Sequence, residues 1–147
     1  MKGILGFAFF LLFLAGITLV MIQGKEMARQ NMPGGGVGMT GTTWRPTIVG
    51  SEELPVDSGM FVQFAVDGSI KGNGGCNSFF GSLQKKDDGI VVGELGSSRM
   101  ACPGKIMDRE VAFMQALQNA VVFETGDNRL QLIDDAGVML ADLVSED

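Results

Sequence analysis

The sequence predicts a mainly β domain with one α-helix, a curved antiparallel sheet or small β-barrel-like unit, behind an N-terminal transmembrane helix. Three observations lead to this fold class. The 147 residues include 22 glycines, which is typical of many turns between short strands. The segments between those turns are short, whereas only residues 105–119 place apolar side chains at helical spacing. One apolar run near the N-terminus is long enough to cross a bilayer.

That apolar run covers residues 3–22 and contains no charged side chain. A bilayer core needs about 20 apolar residues in a helix, so we assign residues 1–26 to an uncleaved membrane anchor. A cleaved secretory signal is the alternative. Signals usually have a shorter apolar core and an A-x-A-like cleavage site, which the residues after Ile22 do not form.

Residues 27–41 follow the anchor and predict a Gly-rich linker, because they show no apolar period and contain three consecutive glycines. Residues 42–147 are then long enough for one folded domain. We expect that domain on the extracytoplasmic, periplasmic side of the membrane, in a single-pass protein. The flanking charges do not decide the orientation, and the expectation depends on the cysteines described below.

The predicted strands of the domain begin with a segment that contains Pro46. Proline lacks a backbone donor, so this strand should lie at a sheet edge or carry a bulge. In the second strand Val62, Phe64 and Val66 alternate and are expected on one face, and the Asp-Gly pair that follows is a hairpin signal. Short connections force antiparallel pairing. The strands are predicted over residues 42–49, 60–66, 69–72, 78–83, 90–95, 120–125, 129–134 and 138–144.

The composition argues against several classes of function. The chain has 11 Lys and Arg against 17 Asp and Glu, a net charge of −6, and no His. An acidic protein repels phosphate backbones, so no nucleic-acid partner is expected. Without His the commonest general base and metal ligand is missing. We therefore expect no enzymatic activity, no catalytic residue, no metal and no cofactor.

Cys76 and Cys102 are the two cysteines of the chain. A cysteine pair in an exported domain suggests a disulfide, which here would tie a Gly-rich turn to the loop before the helix. The alternatives are two buried thiols that act as small core residues, or a redox-active or metal-bound pair. Zinc usually takes four ligands, and no further ligand is evident near the pair.

Two further polar features allow more than one interpretation. Arg99 could pair with Glu110 or another carboxylate, or it could be exposed as a contact residue. The backbone N–H groups of residues 74–77 could face an anion, although glycines there also let the chain turn where a Cβ atom would clash.

Two short motifs resemble a known family. The first is Gly-Gly-Cys-Asn-Ser-Phe-Phe-Gly at residues 74–81, and the second is Ser-Arg-Met-Ala-Cys-Pro at residues 98–103. In this order they resemble the META domain family, which includes the HslJ-like heat-shock proteins, and the likeness covers residues 42–143. The positions that carry it include Trp44, Gly74, Gly75, Cys76, Asn77, Gly81, Arg99, Met100, Ala101, Cys102, Glu110 and Phe113.

The resemblance implies a compact β-rich, barrel-like fold with one helix, exposure at the cell envelope, and a link to stress response or antibiotic tolerance in bacteria. The family has no established enzymatic activity, so it offers no catalytic residue. Pro46 and Ser98 depart from the usual pattern, which has an apolar residue and Thr there. Neither departure threatens the fold.

These observations favour a membrane-anchored, extracytoplasmic, non-enzymatic binding module with a role in envelope stress or antibiotic tolerance. Its expected partners are the membrane, through the N-terminal helix, and an envelope protein. Two alternatives remain open at this stage. One is a small-ligand carrier that uses a barrel interior, and the other is a thiol-based redox protein built on its two cysteines.

Overall fold

A computed structural model describes residues 38–87 and 89–146, which belong to one compact unit, Gly35–Asp147. The predicted anchor and most of the predicted linker lie outside the described residues. Within the described part, no helix is both long and apolar enough to cross a bilayer.

Ten strands and one helix follow one another along the described residues. The helix, α1, covers nearly the same residues as the predicted helix, and eight of the strands correspond to predicted strands. The elements are β1 (Thr43–Val49), β2 (Glu52–Glu53), β3 (Phe61–Phe64), β4 (Ser69–Asn73), β5 (Ser78–Lys86), β6 (Gly89–Val92), β7 (Gly96–Ser97), α1 (Gly104–Asn119), β8 (Val122–Gly126), β9 (Arg129–Ile133) and β10 (Met139–Glu146).

The strands form one open antiparallel sheet in the order β6-β5-β4-β3-β1-β10-β9-β8, with β2 added to β1 and β7 added to β5. The predicted curved antiparallel sheet is therefore confirmed, but the barrel-like alternative is wrong, since the end strands β6 and β8 do not pair. Helix α1 contacts β6, β1, β10 and β9. The buried side chains of the helix, Phe113, Ala116 and Leu117 among them, belong to the same core as those of the strands.

The core lies between α1 and the sheet. Phe113 and Leu117 of the helix are fully buried, because apolar residues recur at helical spacing on the side that faces the strands. The ring of Phe113 meets that of Phe79 edge-on at 6.0 Å between centroids, and Phe64 meets Phe123 in the same way at 6.2 Å. Such edge-to-face pairs add about 0.5–1.5 kcal/mol to the burial of the rings.

Strand β1 contains the irregularity that its proline predicts. Its register with β10 shifts between Pro46 and Ile48, which is a bulge. The prediction of an edge or a bulge at this proline is confirmed. The shift lets β1 pair with β10 along its length while its two ends also pair with β3 and β2.

Val66 is a second difference from the predicted strands. Val62 and Phe64 are buried as expected, but Val66 is 88% exposed. The strand ends earlier than predicted because Gly68 donates its N–H to the carbonyl of Ala65 and so closes a turn that contains Val66. The hairpin itself is confirmed, since β3 pairs with β4.

The folded unit also begins earlier than the predicted domain start. Met39 lies in the segment assigned to the linker, yet its side chain is fully buried. The indole N–H of Trp44 donates to the Met39 carbonyl at 2.8 Å, and Gly41 donates its N–H to Phe64. Residues 38–41 are too few to show an apolar period, so periodicity could not indicate that the Met39 side chain belongs to the core.

Candidate functional site

The first motif forms a tight turn between β4 and β5, which we call the motif turn (residues 73–77). Gly74 donates its N–H to the carbonyl of Asn77, and Gly75 donates to the side-chain oxygen of Asn73 at 2.7 Å. Gly75 has a φ of 102°, a conformation that L residues with side chains rarely adopt. The motif turn is therefore closed by one backbone and one side-chain hydrogen bond of its own residues, and the Asn77 side chain takes no part in closing it.

The Asn77 side chain binds the second motif, which we call the motif loop (residues 98–103). Its oxygen accepts hydrogen bonds from the Met100 N–H at 2.7 Å and from the Ser98 hydroxyl at 2.9 Å. Its amide NH₂ reaches the Met100 carbonyl at 3.3 Å. One amide group thus satisfies both backbone groups of Met100 and fixes the path of an otherwise irregular loop.

Glu110 brings the helix to the same point. Its Oε2 accepts from the Asn77 backbone N–H at 2.6 Å, and its Oε1 accepts from the Asn77 amide at 2.8 Å. Both residues are buried, with 3% of Asn77 and 6% of Glu110 exposed. A buried carboxylate is costly unless its oxygens find donors, and here one neighbour supplies a donor to each.

Gly74 makes room for this carboxylate. A Cβ atom built on Gly74 would lie 2.4 Å from Cγ of Glu110, which is too close for two non-bonded carbon atoms. This glycine is therefore required for a close approach between the motif turn and the helix. The backbone N–H groups of Gly74, Gly75 and Asn77 bond within the protein, which gives no support to the anion-binding interpretation.

The cysteines add a covalent link at the same place. Cys76 and Cys102 form a disulfide with their Cα atoms 6.1 Å apart, so the bridge joins the motif turn to the motif loop as predicted. Neither sulfur is free in the described residues. A bonded sulfur is neither a nucleophile nor a metal ligand in this state.

Arg99 is not part of the buried cluster. The predicted pair with Glu110 is wrong, because Asn77 occupies both carboxylate oxygens on the inner side of the loop. Arg99 lies in an exposed position and forms no ion pair with any described residue. The alternative interpretation, an exposed residue available for contacts, agrees with this placement.

Three of the remaining motif residues, Trp44, Gly81 and Phe113, support the packing of the sheet and helix. Trp44 is 3% exposed and Phe113 is fully buried. A Cβ atom on Gly81 would lie 2.6 Å from Cδ2 of Leu95, so the glycine admits that leucine. Ala101 is exposed beside Met100. These residues are not brought into the hydrogen-bonded cluster.

The interior offers little to a small ligand. Fully buried side chains, among them Phe64, Phe79 and Phe113, fill the space between helix and sheet. A surface depression of about 200 Å³ lies beside the motif turn, where Arg109 is held by Glu52 at 2.7 Å. The small-ligand carrier hypothesis therefore receives no support from the described core. The depression is lined by Pro55, Asp57, Ser58, Met60, Gly74, Gly75, Ile106 and Arg109.

A metal site was not expected, and no group of three or more His, Cys, Asp or Glu side chains in the described part of the chain could hold an ion. What sequence reasoning missed is the pairing of Asn77 with Glu110. A usable observation existed, since Glu110 lies on the apolar face of the helix together with Phe113 and Leu117. An acidic residue in that position must either be exposed or find donors.

Comparison with known proteins gives a family and a fold. The sequence model of the META domain matches residues 37–147, and no curated protein matches. An NMR structure of a protein from Burkholderia xenovorans is similar with a TM-score of 0.56 and 24% identity, over 74% of this chain and 83% of that one. A crystal structure of a DUF4847 family protein from Bacteroides vulgatus has a TM-score of 0.49 and 15% identity, over 75% and 97% of the two chains. At these identities the Burkholderia structure supports the fold alone.

Proposed function

The chain belongs to the META domain family, and on this premise we propose that it is a membrane-tethered, extracytoplasmic, non-enzymatic interaction module of the bacterial envelope. Its role on this proposal is tolerance of envelope stress or of antibiotics that act on the envelope. The stress role follows from the family resemblance, and the tether follows from the apolar run at residues 3–22.

The disulfide is the observation that carries the proposed location. Disulfides persist in oxidising compartments such as the periplasm and are reduced in the cytosol. The bridge between Cys76 and Cys102 joins the motif turn to the motif loop, and its cysteines are 26 positions apart in the sequence. Closing a loop of this size is expected to add about 3 kcal/mol to stability. A domain that uses such a bridge gains it only after export.

The non-enzymatic part of the proposal is supported by how the motif residues are used. The polar groups that could act on a substrate, Asn77 and Glu110, are buried and hydrogen-bonded to each other. Buried polar groups are normally hydrogen-bonded, and these two use their donors and acceptors on each other and on the motif loop, which favours a structural role. With no His in the chain, the usual acid–base partner for such groups is also missing.

The location is tested on the full-length chain in bacteria. Free thiols are first blocked with N-ethylmaleimide, and the denatured protein is then reduced and labelled with a polyethylene-glycol maleimide. We expect two labels after reduction and none without it. External protease should remove the domain in spheroplasts but not in intact cells, while a cytoplasmic control protein stays whole. Two free thiols, or protection of the domain in spheroplasts, would refute the location.

The role is tested by deleting the gene in the native host and measuring growth under antibiotics that act on the envelope. We expect tolerance to fall and to return with the full chain. A matched chain that lacks residues 2–26, and so has no export segment on the proposal, should fail to restore tolerance although it is present in similar amount. Restoration by the truncated chain would contradict an extracytoplasmic role.

A further inference from the structure

Strand β8 forms one end of the open sheet, and no described strand pairs with its outer edge. An edge strand presents backbone N–H and C=O groups without partners, which a further extended chain can bind. Proteins often protect such edges with lysine or proline, but the five residues of β8 include neither. Within the described residues, the edge of β8 is therefore open to the addition of a strand.

A row of apolar side chains reaches this edge on the face of the sheet opposite to the buried Leu132. Val122 of β8 pairs with Ile133 of β9, which in turn pairs with Met139 of β10. Directly paired residues of an antiparallel sheet lie side by side on one face. Val122 is 40% exposed and Met139 is 38% exposed, while Ile133 is half-buried. Single exposed apolar residues mean little, but these three adjoin one another across three strands and end at the open edge.

A polar depression lies next to the apolar row on the same face. Glu124 is two residues further along β8, so its side chain points to the same side of the sheet as the row, and it pairs with Gln131. The depression has a volume of about 360 Å³, and its lining includes Glu124, Asp127, Arg129 and Gln131. Arg129 donates from Nε to the buried carboxylate of Asp142 at 3.2 Å, so its charge is compensated within the protein.

The two carboxylates of this depression carry charges that no ion pair of the described residues compensates. Those ion pairs use Glu52, Asp142 and Glu146 as their acidic members, whereas Glu124 and Asp127 are exposed and belong to none of them. The domain around them is also acidic, since residues 42–147 contain eight Lys and Arg against sixteen Asp and Glu. A depression with this charge attracts a cationic side chain.

We propose that β8 binds an extended segment of a partner protein as an additional strand, with an apolar side chain beside Val122 and a lysine or arginine beside Glu124. The inference rests on the proposed function as an interaction module and names its surface and the class of its partner. We call this surface the β8 surface (Val122, Glu124, Gln131, Ile133 and Met139). In strand addition the main-chain hydrogen bonds give affinity, and the side chains at alternate positions give specificity.

A cationic segment of another protein fits the β8 surface better than a second copy of the chain or a lipid surface. Glu124 is the middle residue of β8, so full antiparallel overlap of two copies would place the two Glu124 side chains opposite each other. Like charges in that position are destabilising. A lipid surface has no main chain to pair with the strand edge. A segment with alternating apolar and cationic residues satisfies the edge, the apolar row and the depression together.

Photo-crosslinking in cells tests the proposal on the full-length chain. The photoreactive residue p-benzoylphenylalanine replaces Val122 in one variant and Gly126 in another, where a Cβ atom would have no atom within 4 Å. The control replaces Val111 on the helix, which is 52% exposed. We expect protein adducts from positions 122 and 126 and none from position 111. Mass spectrometry should map both crosslinks to one partner segment, about four residues apart because two paired strands have the same rise per residue, with a lysine or arginine between them.

Charge reversal in the same cells provides the second readout. Glu124→Lys should lower the yield of the adduct at position 122 by about tenfold, because it places a cation beside the cation of the partner. Glu53→Lys, an equal change of charge at an exposed residue of β2, should leave the yield within about twofold. Thiol labelling confirms that the disulfide still forms in each variant.

Several outcomes would overturn the β8 surface and leave the proposed function in place. These are adducts from position 111 alone, the absence of any protein adduct from positions 122 and 126, and an adduct yield that Glu124→Lys does not lower. Crosslinks to a second copy, to lipid, to residues 1–37 of the same chain, or to a partner segment that lacks the expected spacing or cation would overturn it as well. A cytoplasmic domain in the protease test would instead overturn the proposed function.

Discussion

Asn77 supplies both donors to the buried carboxylate of Glu110 that the described residues provide, one to Oε2 from its backbone at 2.6 Å and one to Oε1 from its side chain at 2.8 Å. The same asparagine accepts from Ser98 and Met100 on its other side. One residue of the motif turn is therefore connected to both the motif loop and the helix. Loss of this connection should destabilise the unit, because the buried carboxylate of Glu110 would be left without its donors and the motif loop would lose its hydrogen bonds to Asn77.

Glu110→Gln tests the pairing directly. The amide has nearly the same shape, but its NH₂ would face a donor of Asn77, so one hydrogen bond would be replaced by repulsion. We expect a loss of about 1–3 kcal/mol in the free energy of unfolding, measured by urea denaturation. Asp108→Asn, the same change at an exposed position of the same helix, should cost less than about 0.5 kcal/mol. Equal costs for the two variants would contradict the pairing.

Gly74→Ala should destabilise the protein for a steric reason. Its Cβ atom would meet Glu110 at 2.4 Å, whereas a Cβ atom on Gly104 would have no atom within 4 Å. We expect Gly74→Ala to cost about 1–3 kcal/mol. Gly104→Ala, at the first residue of the helix, should be neutral or stabilise by up to about 1 kcal/mol. Thermal denaturation of the two variants side by side checks the contrast, and a stable Gly74→Ala protein would show that the approach is looser than described.

Met39→Ala tests where the folded unit begins. Met39 is fully buried and Met100 is 56% exposed, so the same substitution removes a core side chain in one case and a surface side chain in the other. We expect about 2–5 kcal/mol for Met39→Ala and less than about 0.5 kcal/mol for Met100→Ala, measured by chemical denaturation. A neutral Met39→Ala would mean that residues 38–41 belong to the linker after all.

Asp67 provides a pH-dependent contact at the β3–β4 hairpin. Hydrogen bonds from the Ser69 hydroxyl and N–H lower the pKa of Asp67 below its ordinary value. A carboxyl whose pKa is lower in the folded state stabilises that state above its unfolded pKa, and this contribution is lost as the pH falls through the folded pKa. Ser69→Ala should raise the pKa of Asp67 towards the ordinary value, and Ser69→Thr should keep it low. NMR titration of the Asp67 carboxyl measures both, and an unchanged pKa in Ser69→Ala would remove the hydroxyl as the main cause.

The strands and the helix could be predicted from the sequence because their physical causes are local. Alternation placed Val62 and Phe64 in the core, and the proline rule predicted the bulge at Pro46. The strands β2 and β7 could not be predicted, since each has two residues and exists only because a longer neighbour offers free backbone groups. Val66 was wrongly predicted to lie in the core, because the apolar alternation continues in the sequence beyond the residue where the strand ends and the turn begins.

The candidate site was predicted less completely than the fold. The disulfide partners could be named because the chain has two cysteines. The partner of Glu110 could not, because Asn77 is 33 positions away and no local pattern connects them. Its opposite charge suggested Arg99 as a partner of Glu110 instead. Geometry decided otherwise, because the helix turns Glu110 inward while Arg99 remains on the outside of the loop.

The motif turn and the motif loop are joined twice, by the hydrogen bonds of Asn77 and by the disulfide. This arrangement bears on which of the two links forms first. The hydrogen bonds between Asn77 and Met100 do not involve the sulfur atoms, so we expect the reduced chain to bring Cys76 and Cys102 side by side before any oxidant acts. The disulfide then forms in a conformation that the hydrogen bonds already hold. Because the chain has two cysteines, a wrong disulfide within one chain cannot form. After reduction of the bridge, we expect the hydrogen bonds of Asn77 to keep the two thiols close enough to be oxidised again.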